Sequence, residues 1–236
     1  MDDQPTYPLL LAEDLVLLLL DDDTGALRAT HHQVLLGGAV LADLALAGTV
    51  EVRRGTGLLS SSKVVVVPGA ATPADPLLRD ALEIVAAKER GAQVLVGRLG
   101  KPLKDVVTGR LVDRGLVQRE DSKVLGLFPR TRWPATDSAH EDGVRRRLGD
   151  VLLRGLTADP RTASLVGLLH AAGLAAKVLD TEGVPASQVR KRAKAVVEEL
   201  EQQGFAADAV RGAIAASQAA ITAGVVAATA ASSAGT

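Results

Sequence analysis

From Leu9 to Leu20 the chain is apolar at every position except Glu13 and Asp14. So continuous a run predicts a buried helix, ending in an acidic turn with Gly25 and followed by a short strand or turn. Leu35, Ala39, Ala42 and Leu46 then recur at helical spacing, with Gly48 as the cap before a strand TVEVRRG. SKVVVVPG is a second strand, marked by its four valines. The stretch GAATPADP, residues 69–76, is a loop in which Asp75 or Pro76 opens a helix running through Arg90. A further helix begins near Lys101-Pro102 and runs to Arg114, where Gly115 stops it. The segment LVDRGLVQREDSKVLGLFPRTRWP, residues 111–134, closes that helix and folds into a β-hairpin whose second strand is KVLGLFPRTRW. After a polar linker from Pro134 to Asp142, helices are predicted over 143–157, 161–180, 185–203 and 205–230. The breaks fall at Asp159-Pro160, at Gly183 with Pro185, and at Gly204. The fold class is mainly α with a few short strands, one domain over 1–236 without repeats, and flexible ends at 1–7 and about 231–236.

Composition narrows the functional classes. A hydrophobic fraction of 47% in 236 residues is ample for a buried core, while a formal net charge of −1 excludes a general polyanion binder. Any contact with nucleic acid or anionic lipid must come from a local patch. There is no cysteine, so disulfides and thiolate chemistry are out. The run from Gly212 to Thr236 is uncharged, but its Ala, Ser, Thr and Gly content reads as a soluble helix and not a membrane span. An acidic amino terminus, MDDQPTYPLL, is unlike a signal peptide and predicts a cytoplasmic protein.

Catalytic chemistry does not assemble. The histidines at 31, 32, 140 and 170 have no metal-ligand spacing, and His170, within LVGLLHAAGLAA, reads as a hydrogen-bonded core residue. GTG at 55–57 matches neither a P-loop nor a dinucleotide fingerprint, no G-x-S-x-G elbow occurs, and DDD at 21–23 reads as a solvated cap. No cofactor and no metal are expected, and the chain reads as a binder and not an enzyme.

Two features offer binding chemistry. In GRLGKPLKDVV, Pro102 opens a helical turn whose free N–H groups and positive dipole end face outward, with Lys101 and Lys104 beside it and Arg98 just upstream. Spacing alone favours the plainer reading of this pair, a solvated helix face partly neutralised by Asp105. In the hairpin, Val124, Leu125, Leu127 and Phe128 are flanked by Lys123, Arg130 and Arg132, with Arg119 before them. Apolar residues with basic flanks suit an anionic bilayer, and they equally suit packing on the body or on a second copy.

The order and spacing of segments over nearly the whole chain resemble the Golgi phosphoprotein 3 family of peripheral membrane proteins. The pieces that carry the resemblance are LLLAEDLVLLLLDDDTG, LLGGAVLADLALAGTVEV, LKDVVTGRLVDRGLVQRED with KVLGLFPRTRWP, HEDGVRRRLGDVLL and LVGLLHAAGLAAKVL. The resemblance implies a helical bundle core, surrounding amphipathic helices and one projecting β-hairpin. It also implies binding of phosphatidylinositol 4-phosphate, or a similar anionic lipid, in a basic pocket on the cytoplasmic face of a membrane. The hairpin would enter the bilayer or join copies into a homo-oligomer, and a membrane-protein cargo belongs to the same picture. Counting back from LVDRG, the two basic residues of the family pocket fall on Lys101 and Lys104, which reverses the plainer reading of that pair. The pocket arginine falls on Gly37 and the upstream tryptophan has no counterpart, so Arg28, His31 and His32 stand in for them.

A rival reading takes DVVTGRLVDRGLV as the recognition helix and LVQREDSKVLGLF as the wing of a winged-helix transcriptional regulator. The charge balance and the few side chains suited to base edges weigh against it, and no nucleic-acid partner is expected.

Overall fold

The two most apolar segments lie at the centre of the molecule. A computed structural model describes residues 7–21, 26–53, 62–124, 128–134, 136, 138–181, 183–200 and 205–233. In it the first segment is α1 (Leu11–Leu19), buried at every position including Glu13 and Asp14. The second is α2 (His32–Leu46), buried without a break from Leu35 to Ala45. A helix that is apolar all round has to be enclosed by others. The enclosing helices are α3 (Pro76–Ala86), α4 (Ala92–Gly100), α5 (Leu103–Asp113), α6 (Ala139–Leu152), α7 (Pro160–Ala171), α8 (Ala186–Leu200) and α9 (Phe205–Ser233). They are amphipathic where the sequence is: α3 buries Leu77, Leu78, Ala81 and Val85, and α8 buries Val189, Ala193, Val196 and Leu200. Around α2 pack α1, α4, α7 and α9. The fold is therefore mainly α, as the pattern predicts.

Two antiparallel strand pairs complete the described residues. β1 (Val50–Arg53) pairs with β2 (Lys63–Val66) in the register Val50↔Val66 to Arg53↔Lys63, lying against α3 and α9. β3 (Glu120–Val124) pairs with β4 (Phe128–Arg132), from Glu120↔Arg132 to Val124↔Phe128. Among the described residues these two strands pack chiefly on each other, so the hairpin projects from the helical body. Its foot is fixed to the body: Gln118 N–H donates to the Pro134 carbonyl at 2.9 Å and Thr136 N–H to the Leu116 carbonyl at 3.0 Å. Trp133 sits there half-buried against the core, with the Arg119 guanidinium 5.7 Å from its ring centre.

Several boundaries differ from the sequence reading, each for a local reason. The helix expected to run through Arg90 stops at Ala86, because Val64 N–H of β2 donates to the Arg90 carbonyl at 2.9 Å and draws the chain into an isolated bridge. A whole helix, α4, follows where none was predicted. α6 begins at Ala139 and ends at Leu152, so part of the expected linker is helical. α7 ends at Ala171 and not at 180: Gly173 takes φ +68°, its N–H bonds the His170 carbonyl, and Leu174 N–H bonds the Leu169 carbonyl, a glycine-terminated helix end. The hairpin turn falls inside KVLGLFPRTRW, so Lys123 and Val124 belong to the first strand, not the second. Among the described residues, no helix is long and apolar enough to cross a membrane.

Candidate functional site

The junction of α4 and α5 carries the predicted lysines. Lys101 and Pro102 both hold right-handed helical backbone, so α4 runs into α5 through a two-residue turn. The open helix entrance expected at Pro102 is thus absent, because the negative carboxyl end of α4 abuts the positive amino end of α5 and offsets its dipole. Attraction for an anion at this point has to come from the ammonium groups themselves. Lys101 is exposed and Lys104 half-exposed, and among the described residues neither has an acidic partner, Asp105 included. Arg98, exposed one turn before Lys101, lines a shallow groove with Asp80, Glu83 and Arg90.

What holds this junction in place is glycine. A Cβ on Gly100 would lie 1.8 Å from the Gln33 carbonyl oxygen, and one on Gly37 would lie 2.0 Å from the Val96 carbonyl oxygen. Backbone therefore meets backbone between α2 and α4, and no side chain fits at Gly37, where the resemblance places a family arginine. The contact sets Lys101 one residue from the first turn of α2.

Arg28 and His31 lie on the other side of that same turn. They line a cavity of about 160 Å³ together with Thr30, Leu35, Leu174 and Lys177. Positions two apart on a helix point roughly 200° away from each other, so Leu35 faces this cavity while Gln33 and Gly37 face α4. His32 turns its Nδ1 to the Ala29 carbonyl at 3.2 Å. The predicted headgroup residues thus form two clusters flanking the amino end of α2 and not one ring. Arg28 is held by Asp21, at 2.9 Å from both Nε and Nη2; the rest of DDD, Asp22 and Asp23, lies outside the described residues, as does GTG at 55–57. Of the predicted hairpin residues, Lys123, Val124, Phe128, Arg130 and Arg132 are placed in the ladder by their backbone, and Leu125 and Leu127 lie outside the described residues. His170 is half-buried at the end of α7, and its imidazole hydrogen-bonds no described residue, against expectation. Burial, with Lys194 adding to it, lowers its pKa.

The largest polar feature was not read from sequence. Glu13 accepts from Leu10 N–H at 2.7 Å, from Arg110 Nε at 3.0 Å, and pairs with Arg114 Nε at 3.3 Å. Arg110 also forks onto Asp75 at 3.2 and 2.6 Å, while Asp75 caps α3 through Leu77 N–H at 2.9 Å. Asp14 meets His140 Nε2 and Arg161 Nη2, both at 2.7 Å. Arg161 continues to Asp43 at 3.3 Å, and Asp43 accepts from Leu11 N–H at 2.8 Å. The network joins α1 to α2, α3, α5, α6 and α7. Burial works against the charge on Arg110, yet its bonds to Asp75 and Glu13 outweigh that and raise its pKa. Arg110 of α5 and Arg114, the residue that caps it, both within the recognition helix of the DNA-binding reading, are turned toward these buried carboxylates. The signal was available in sequence: a Glu-Asp pair inside an all-apolar helix must find cationic partners.

Four carboxylates here face three guanidinium groups, and the excess acid has a location. Burial pushes the Asp43 carboxyl up from 3.8 to about 7, with Arg161 pulling the other way. A folded-state pKa above the unfolded one gives stability that is complete below about pH 4 and is lost as pH rises through about 7. Asp43→Asn, neutral at every pH and able to keep the Leu11 bond, removes that dependence. In urea titrations the stability of the unaltered chain relative to this variant should fall by on the order of 1 kcal/mol per unit between about pH 5 and pH 7. Parallel profiles for the two proteins would exclude Asp43 as the group that titrates.

The family model described as Golgi phosphoprotein 3 (GPP34) matches residues 11–217 of the chain. No curated protein matches it.

Proposed function

Because the chain belongs to the Golgi phosphoprotein 3 family, we propose that it is a peripheral membrane protein, without catalytic activity, that docks on the cytoplasmic face of a membrane. Lys101 and Lys104 contact an anionic headgroup of the phosphatidylinositol 4-phosphate type, with Arg98 beside them. Arg28, His31 and His32, around the amino end of α2, form a second basic cluster that faces the same anionic surface. The projecting hairpin enters the bilayer interface or joins a second copy, and a membrane protein is the cargo.

The observation that supports this reading is the state of the two lysines: two cations three positions apart, accessible and unpaired among the described residues, on a junction anchored by Gly100 against Gln33. Some exposed cations elsewhere in the molecule are paired, as Lys194 with Glu198 at 3.5 Å. Each basic side chain near an anionic surface is worth about 1 kcal/mol, so two together change partitioning by roughly 30-fold. Flotation on phosphatidylcholine vesicles containing phosphatidylinositol 4-phosphate should therefore weaken about 30-fold for Lys101→Gln with Lys104→Gln, and salt should weaken it for the unaltered chain. If the double variant floats as well as the unaltered protein, the junction is not the headgroup contact.

A further inference from the structure

We propose that the cavity on the far side of α2 is a separate anion site, one that binds a phosphomonoester through Arg28, His31 and Lys177. The proposal takes over the reading of Arg28 and His31 as anion contacts, makes Lys177 their partner, and does not depend on Lys101 or Lys104.

The residues come from two distant parts of the chain. Arg28 and His31 precede α2, and Lys177 belongs to the turns between α7 and α8, where its N–H donates to the Leu174 carbonyl at 2.8 Å. Nothing in their sequence spacing brings them together. The fold does so around one cavity of about 160 Å³, whose inner wall is Leu35 and Leu174. Lys177 is exposed and pairs with no carboxylate among the described residues. Asp21 holds the Nε and Nη2 edge of Arg28 at 2.9 Å. That fixes the guanidinium plane and leaves Nη1 without a partner among the described residues. A lysine, an arginine and a histidine therefore line one cavity, with Thr30 beside them.

Charge and size select the ligand class. Asp21 offsets one of the two permanent cations, so a net positive site remains, to which a phosphomonoester brings about −1.5 to −2 charges and three acceptor oxygens. A carboxylate offers two oxygens and a single charge, and leaves one of the three donor groups unmatched. Liquid water takes about 30 Å³ per molecule, so the cavity equals roughly five waters, enough for a phosphate and a short polar stub. Pockets that enclose drug-sized ligands span about 300–1,000 Å³, so a bulky remainder of the ligand, an acyl chain above all, stays outside. The phosphomonoester is either the terminal phosphate of a lipid headgroup or a free small molecule.

Titration calorimetry of the full chain with inorganic phosphate tests the site directly. Lys177→Gln, an exposed substitution, should weaken phosphate binding about tenfold, and Arg28→Gln should do likewise. Phosphate bound equally by the Lys177→Gln variant and the unaltered chain, or bound by neither, overturns the proposal. So does loss of phosphate binding in the Lys101/Lys104 variant, which would move the anion to the α4–α5 junction. Flotation on phosphatidylcholine vesicles with and without phosphatidic acid separates the sources. A Lys177→Gln defect confined to phosphatidic acid vesicles assigns the phosphate to a lipid, and unchanged flotation assigns it to a soluble ligand. Failure of membrane docking at Lys101 and Lys104 leaves the phosphate titration untouched, so the two readings fail separately.

Discussion

Replacing Arg110 by alanine should lower the unfolding free energy by roughly 3–5 kcal/mol, the loss expected when one partner of a buried ion pair is removed and the other stays charged. Two carboxylates depend on this guanidinium. Glu13 is wholly inaccessible and Asp75 is 6% exposed, and Arg110 reaches them at 3.0 Å and at 3.2 and 2.6 Å. After the substitution Glu13 retains Leu10 N–H and the longer approach of Arg114, and Asp75 retains the cap on Leu77 N–H. Arg110→Lys should recover only part of the loss, because a single ammonium cannot fork onto Asp75 and reach Glu13 together. Urea unfolding followed by circular dichroism measures both variants. The loss should also persist at high salt, since screening acts mainly on exposed pairs. A change below about 1 kcal/mol for Arg110→Ala would place this pair among ordinary surface ion pairs and undo the account of the network.

Much of the fold was legible because periodicity reports burial. Both central helices, the β1 and β2 segments, the Asp75 cap and the Gly48 and Gly115 stops all follow from local rules that the structure obeys. The misses share a different origin. α4 was invisible because AQVLVGRLG mixes glycine with exposed Val94 and Arg98, and its helicity is imposed by packing of Leu95, Val96 and Leu99 against α2. The helix expected over 161–180 overruns α7 because Gly173 lies inside a continuous small and apolar run, whereas its positive φ ends the helix. For the site, spacing could show that Lys101 and Lys104 lie three apart, but not that α4 backs onto them and offsets the dipole of α5. Nor could it show that Arg28 and His31 face away from these lysines, since that depends on which side of α2 each neighbour occupies. The ion network was half legible: Glu13 and Asp14 announced a need for polar partners, and only the fold could name Arg110, Arg114 and Arg161, with the His140 imidazole, as the ones that answer it.

Gly100→Ala should destabilise the protein by about 1–3 kcal/mol, and Gly97→Ala, one turn earlier on the same helix, should stabilise it by about 0.5–1 kcal/mol. Both substitutions raise helix propensity equally, so only surroundings distinguish them. Nothing lies within 4 Å of a Cβ at Gly97, whereas at Gly100 the Gln33 carbonyl oxygen and carbon would stand at 1.8 and 2.6 Å. Those two atoms are backbone in the first turn of α2 and cannot rotate aside as a side-chain tip would. α4 must move away from α2, and the voids opened beside Leu95, Val96 and Leu99 add to the loss. Lys101 follows Gly100 directly and moves with it. Flotation on anionic vesicles should therefore fall for Gly100→Ala even under conditions where the variant remains folded, while Gly97→Ala floats like the unaltered chain. Equal stability of the two variants would mean that α2 and α4 do not meet backbone to backbone, and the placement of Lys101 beside α2 would fall with that contact.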